Sequence, residues 1–155
     1  MIRITCTADF SQIGDFDALM GRVLDKSIQL ISEDYSDEVK REITRQHLID
    51  HGNMKNSILV NYGYKTSEIV SGVKYLLYQN DGTGIYGKHR TPIVPKKKRT
   101  KFLVFDIAGK TYFRKSVKGV KGKKFIEKAY EGFKDGTRVY ACIDKALQQC
   151  GLTVV

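Results

Sequence analysis

The chain has 155 residues, 41% of them hydrophobic and 28% charged, which is ordinary for a soluble globular protein, so residues 1–155 are expected to form a single domain. The first residues lack the layout of a signal peptide, and no apolar run approaches the roughly 18 residues of a membrane span, which excludes a membrane partner. The three widely spaced cysteines Cys6, Cys142 and Cys150 argue against a disulfide framework and fit a reducing cytosol.

The net charge of +10 is concentrated in one segment. Residues 86–124 hold 14 lysines and arginines and a single acid, Asp106, whereas the remaining residues together carry a charge of −3. Such a segment favours a polyanion or an acidic protein surface as its partner, and a solvated basic loop without a partner is the plain alternative. The candidate contact residues are Lys88, Arg90, Lys96, Lys97, Lys98, Arg99 and Lys101.

The N-terminal third of the chain predicts a strand and two helices. Residues 2–8 alternate enough to suggest a short strand. Asp15 is a candidate cap for a first helix, in which apolar residues recur at helical spacing as far as Ile31. Ser36 is a candidate cap for a second helix, and Gly52 is its natural end.

Two hairpins are predicted in the middle of the chain. Residues 57–64 and 67–75 have the composition of paired strands, with turn-forming residues between them. Residues 79–100 are expected to be a loop. Two apolar runs on either side of residues 108–109 predict the second hairpin.

The C-terminal residues predict two more helices. One contains Phe125 and is ended by Gly136, and the other runs from Val139 to about Leu147 and stops near Gly151. Helices at both ends of a run of hairpins predict an α+β fold, with an antiparallel sheet of hairpins packed by N-terminal and C-terminal helices and a long basic loop. The expected core residues are Phe102, Val104, Phe105, Phe125 and Ala129, each large one stabilising the fold by about 1.5–3 kcal/mol.

Three glycines match two nucleotide-binding patterns by spacing. Gly82, Gly84 and Gly87 fit G-x-G-x-x-G, and with Lys88 they fit G-x-x-x-x-G-K. Asp106 lies 19 residues after Gly87, near the place of a ribose-binding acid. Both motifs require a helix directly after the glycines, because the free N–H groups at its start hold the phosphates.

Two prolines argue against that helix. Pro92 and Pro95 cannot lie in a helix interior, because each lacks an N–H group and clashes with the preceding turn. His89 also stands where the phosphate loop needs Ser or Thr. Glycine adopts positive φ freely, so we interpret the motif as a sharp turn and expect no cofactor. The candidate turn residues are Gly52, Gly82, Gly84 and Gly87.

Other catalytic or metal-binding patterns are weak. His47 and His51 are four residues apart and can share a helix face, but two ligands are too few for a metal site. Asp37, Glu38 and Lys40 resemble a nuclease carboxylate–lysine set, although such residues are common at a charged helix start. No serine or cysteine has a recognisable base. We therefore expect neither catalytic nor metal-binding residues, and a protein that is not an enzyme.

Three stretches line up in order with one known family. They are "HGNMKNSI" (51–58), "YLLYQNDGTGIYG" (75–87) and "KSVKGVKGKKFIEKA" (115–129), separated by a basic loop with prolines and a hairpin. In this arrangement the chain resembles the neck or tail-completion (head–tail joining) proteins of long-tailed double-stranded DNA phages, to which the minor tail protein Z of phage lambda is distantly related. The match departs at Asn80, where the family often has Glu, and at Gly122, where it often has Pro.

The resemblance implies a structural virion protein without catalysis, present in the neck of the virion and in the host cytoplasm during assembly. It implies a homo-oligomeric, hexameric ring whose neighbours are the head-closure protein and the tail terminator or tail tube protein. Double-stranded DNA would pass through, so any contact would be non-specific and to phosphate. Residues 85–101 are expected to be mobile in the free subunit and ordered by neighbours in the ring.

The residues alone leave two further functional classes of protein open. One is a basic accessory protein that binds double-stranded nucleic acid, which a salt-sensitive affinity of the monomer for duplex DNA would favour. The other, less favoured, is a small metal-dependent nuclease, which plasmid cleavage with magnesium would reveal. The sequence also leaves open whether the basic residues face DNA or a neighbouring protein.

Overall fold

The computed structural model describes residues 16–48, 52–96, 101–107 and 109–152. Several sequence predictions lie outside these residues: the strand over residues 2–8, the cap Asp15, and the side chains Cys6, His51, Lys97, Lys98 and Arg99.

One long helix, α1 (Phe16–Arg45), occupies the region where two helices were predicted. The prediction that Ser36 caps a new helix is wrong, because Ser36 is buried in the interior of α1. Ser27 and Ser32 also lie inside α1, where each hydroxyl donates to the carbonyl four residues earlier at 2.7 Å, whereas the buried Ser36 hydroxyl has no hydrogen-bond partner among the described residues. The predicted end at Gly52 is also wrong, since α1 stops seven residues earlier.

A short helix and the first hairpin follow. The helix α2 (Asn53–Asn56) begins after Gly52, and strands β1 (Ile58–Gly63) and β2 (Thr66–Ser71) pair antiparallel along their whole length. The hairpin was therefore predicted correctly. Its second strand ends at Ser71, four residues earlier than expected, because residues 72–74 form a turn and the apolar run that begins at Tyr75 forms a helix, α3 (Tyr75–Asp81).

The second hairpin and the C-terminal helices complete the chain. Strands β3 (Leu103–Ile107) and β4 (Lys110–Arg114) are antiparallel, and helices α4 (Phe125–Glu131) and α5 (Thr137–Gln149) follow them. The predicted α+β fold is confirmed, with helices at both ends. The hairpins form two separate two-stranded sheets within the described residues.

The core lies between α1, the first hairpin and α4. Its buried members are Val39, Ile43, Met54, Ile58, Leu76, Phe125 and Ala129. Of the predicted core residues, Phe125 and Ala129 are buried as expected. The prediction is wrong for Phe102 and Val104, which are 42% and 58% exposed, and Phe105 is half-buried. The reason is that the β3–β4 hairpin packs extensively against no other described helix or strand.

A charged cluster joins α5 to α1. The guanidinium of Arg138 donates to both carboxylate oxygens of Asp34, at 2.5 and 2.9 Å, and to Glu38 at 2.9 Å. It also lies 4.5 Å from the ring centre of Phe133. Hydrogen bonding to Arg138 holds the pKa of Glu38 below its usual range.

Candidate assembly and polyanion surface

The glycine motif forms a corner at the end of α3. Gly82 and Gly84 have φ of 89° and 63°, the left-handed region that favours glycine. Gly87, with φ of −88°, follows a single turn of 3₁₀ helix, Gly84–Tyr86. Residues 87–96 contain no helix, so the element that a phosphate-binding motif requires does not follow these glycines.

Five of the six N–H groups over residues 82–87 donate to protein carbonyls. Thr83 donates to Val120 and Ile85 donates to Lys118, both at 2.8 Å. The next two N–H groups donate to carbonyls within the corner itself. Because a phosphate site needs such groups free to point at the ligand, the geometry favours a structural turn over a nucleotide site.

The corner lies directly against residues 117–122, which we call the strap. A Cβ added to Gly84 would lie 2.1 Å from the carbonyl oxygen of Lys118, and one added to Gly119 would lie 2.1 Å from the carbonyl oxygen of Thr83. Real Cβ atoms essentially never make contacts under 3.0 Å. The two backbones can therefore approach this closely only with glycine at both positions.

Asn80, near the end of α3, holds the start of α4. This side chain is buried, and its Oδ1 accepts the N–H of Ile126 in the first turn of α4 at 3.0 Å. Its own carbonyl accepts the N–H of Lys124, also at 3.0 Å. The sequence marked Asn80 only as a departure from a family pattern, because its partner Ile126 lies 46 residues further along the chain.

The strap brings two basic stretches side by side. Ile93 and Val117 exchange two backbone hydrogen bonds of 2.9 and 3.0 Å, and Ile85 donates to Lys118, so both ends of residues 85–93 meet the strap at neighbouring residues. The exposed basic residues on these stretches and their flanks are Lys88, Arg90, Lys96, Lys115, Lys118, Lys121 and Lys123. The first three belong to the predicted contact set. The last four were not singled out, although they belong to the same basic segment of the sequence.

These seven side chains form no ion pair with any residue that the structure describes. Lys124, just beyond them, differs because its ammonium lies 3.1 Å from Glu127 and 3.6 Å from Asp81. Lys101, at the start of the second hairpin, is exposed as well. Uncompensated positive charge on one region of the surface attracts polyanions and acidic protein surfaces.

The β3–β4 hairpin adds an apolar surface. Val104 lies opposite Phe113 in the ladder, and the two are 58% and 59% exposed. Phe102, two residues before Val104, is also exposed. On the other face, the rings of Phe105 and Tyr112 stack with centres 6.0 Å apart. An apolar face without a covering layer is typical of a surface that binds another molecule.

The nuclease-like set lies in the middle of α1, not at a helix start. Glu38 accepts hydrogen bonds from Arg138 and from Arg41, and Asp37 lies 3.6 Å from Lys40. Among the described residues, no group of three His, Cys, Asp or Glu side chains is placed to hold a metal ion. This carboxylate set is thus engaged in contacts between side chains of α1 and α5.

The remaining singled-out residues do not converge on a site. His47 is exposed just after α1, with φ of 54°. Cys142 is buried, and burial raises the pKa of its thiol, while Cys150 is half-buried. None of the helices in the described part of the chain has the length and apolar character to cross a membrane.

Comparisons with protein-family models, with curated proteins and with solved structures give no match to this chain. The functional argument therefore depends on the corner, the strap, the basic residues and the hairpin themselves, together with the resemblance of the three sequence blocks.

Proposed function

We propose that this chain is a structural virion protein of the head–tail connector of a long-tailed phage, a neck or tail-completion protein that joins the tail to the capsid around the DNA passage. In this proposal the chain has no catalytic role. Its copies form a hexameric ring between the head-closure protein and the tail terminator or tail tube protein. It is found in the virion neck and, during assembly, in the host cytoplasm.

The observation that carries the proposal is the meeting of the three sequence blocks in one structural unit. Met54 and Ile58 come from the first block, Leu76 from the second, and Phe125 and Ala129 from the third, and all belong to the same buried cluster. The second and third blocks also interlock through the corner and the strap. Their meeting in one core is what a resemblance of the whole unit requires.

The surface chemistry fits binding and assembly. Five of the six corner amides are used internally, and the neighbouring lysines carry charge that no described acid neutralises. Such lysines make contacts to phosphate that do not depend on base sequence, as sliding DNA requires, and they equally suit an acidic neighbouring protein. The exposed apolar hairpin supplies a contact surface for a protein neighbour.

Electron microscopy tests the proposal. The purified full-length protein should form closed rings of uniform size, and gold-labelled antibodies against it should mark the neck of the phage particle that carries it. Absence of the label from intact virions, with the antibody shown to bind the denatured protein from the same particles or their lysate, would sink the connector role.

A basic accessory protein that binds duplex DNA is the second candidate, and the unpaired lysines are the observation that favours it. Titration of the monomer with duplex DNA at several salt concentrations separates the two. Micromolar or tighter binding that weakens with salt by a log–log slope of about −0.9 per phosphate contact would favour the accessory protein. Cleavage of plasmid DNA with magnesium would favour the nuclease over both.

A further inference from the structure

An apolar groove opens between α1, β2 and α3, with a volume of about 340 Å³. Its walls include Tyr35, Val39, Ile69, Val73, Leu77 and Ile126. Ile69 and Leu77 are 38% and 57% exposed. The groove is therefore open to solvent and apolar at the same time, which is typical of a surface that a partner covers.

The β3–β4 hairpin of the same chain has the complementary property. Its exposed apolar face, formed by Phe102, Val104 and Phe113, has no covering layer among the described helices and strands. A two-stranded hairpin that packs on nothing is marginally stable in water, because it buries little apolar surface. A partner that covers this face would stabilise the hairpin as well as bind it.

The charge of the hairpin indicates that the surface covering it is the groove of a second copy and not the hairpin of a second copy. Residues 101–115 carry four basic side chains and the single acid Asp106, whose carboxylate already accepts a hydrogen bond from Thr111 at 2.6 Å. Two hairpins placed face to face would therefore bring like charges together.

The groove lies in the part of the chain that holds almost all the acids. Glu68 directly precedes the wall residue Ile69 and forms no ion pair with any described residue, whereas Glu127, which follows Ile126, is paired with Lys124 at 3.1 Å. Lys74 is the charged residue among the described wall residues. The residues outside 86–124 carry a net charge of −3, so a basic hairpin approaching the groove meets a body of opposite net charge and apolar side chains inside the groove.

We propose that the Phe102–Val104–Phe113 face of one copy occupies the α1–β2–α3 groove of a second copy. The contact is head-to-tail, since hairpin and groove are different surfaces, and repetition of such a contact closes a ring when the rotation between neighbouring copies divides a full turn. The inference thus rests on the proposed ring and specifies the contact that builds it.

Photo-crosslinking of the full chain tests this contact. Phe113→benzoylphenylalanine should, on irradiation, join two copies through groove peptides that contain Tyr35 or Leu77. An equal mixture of unlabelled and ¹⁵N-labelled protein shows that the bond joins different copies. Tyr140→benzoylphenylalanine is the matched control, because Tyr140 is an exposed aromatic residue on α5, away from both surfaces, and should give no groove adducts.

A charge exchange gives a second readout by sedimentation velocity. Phe113→Asp and Leu77→Lys each place a charge in the apolar contact, so each alone should weaken self-association at least about tenfold, as expected when a charge is buried without a partner. Both residues are largely exposed in the single chain, so either variant should fold. Mixing the two variants should restore association, because the new charges attract each other.

The outcomes separate this inference from the proposed function. Rings with crosslinks outside the groove, or between two hairpins, would overturn the contact and leave the connector role standing. A chain that stays monomeric at every concentration would also overturn it, and labelling of virions would then decide the connector role alone. Groove crosslinks without any label on virions would support the contact and refute the connector.

Discussion

Replacement of Gly84 by alanine tests the interlocked backbones of the corner and the strap. The new Cβ would lie 2.1 Å from the carbonyl oxygen of Lys118 and 2.7 Å from its carbonyl carbon. Both atoms belong to the backbone, so neither can rotate away, and the strap would have to move. Gly84 also has φ of 63°, which a residue with a Cβ adopts only at a cost.

Two costs therefore add in the Gly84→Ala variant. The left-handed backbone costs a residue with a Cβ about 1–2 kcal/mol. Overpacking of a well-packed region costs about 1–3 kcal/mol more. The expected loss of about 2–5 kcal/mol is large beside a total stability of about 5–15 kcal/mol, and it should lower the midpoint of thermal unfolding by at least about 4 °C.

Urea unfolding followed by circular dichroism measures this loss, and Gly109→Ala is the matched control. Gly109 has φ of 76°, but an added Cβ would meet no atom within 4 Å. The control therefore carries the backbone cost alone, about 1–2 kcal/mol. Equal losses in the two variants would refute the close approach of corner and strap.

Three further changes have expected effects on stability. Gly21→Ala should raise the free energy of unfolding by about 0.5–1 kcal/mol in urea, because Gly21 lies inside α1 with no atom near an added Cβ; a loss would contradict that placement. Asn80→Ala should lower it by about 1–3 kcal/mol, since the N–H of Ile126 loses its acceptor. Amide exchange at Ile126 should then become faster, and an unchanged rate would count against the bond. Arg138→Gln should weaken the acid dependence of stability, because the lowered pKa of Glu38 contributes stability at neutral pH that is lost as the pH falls below about 4. Wild-type and variant curves that run parallel from about pH 7 to about pH 3 would show that the Arg138–Glu38 contact contributes nothing there.

Helices and strands that are determined by residues close together in the sequence could be predicted from the sequence. The turn chemistry between paired apolar runs located both hairpins, and the spacing of Phe125 and Ala129 located α4 with its buried face. In each case the residues that fix the element lie within a few positions of one another. Local patterns therefore carried the α+β prediction.

The errors arose where a local signal has two meanings. A serine such as Ser36 suits both a helix cap and a helix interior, and packing along the whole of α1 decided between them. The short apolar run after Tyr75 suits a strand or a helix, and burial of Leu76 and Asn80, four residues apart, selected the helix. The alternation of apolar and polar residues predicts that Val104 lies in a strand, but it does not predict whether a helix or a second sheet covers that strand.

The site was only partly predictable, because its central contact joins distant parts of the chain. The glycines of the corner and the prolines after it argued against a nucleotide site from the sequence alone. The partner of the corner, Gly119 in the strap, lies 35 residues from Gly84, and no local pattern pairs them. The lysines of the strap were missed as contact residues for the same reason.

The paired residues Ile93 and Val117 give the second hairpin a fixed base. The described residues between them, which include strands β3 and β4, form an arm whose two ends meet at this pair. The length and side chains of that arm can change without disturbing the buried cluster around Phe125. Substitutions in the hairpin can therefore change which protein it binds, while the fold around the buried cluster stays the same.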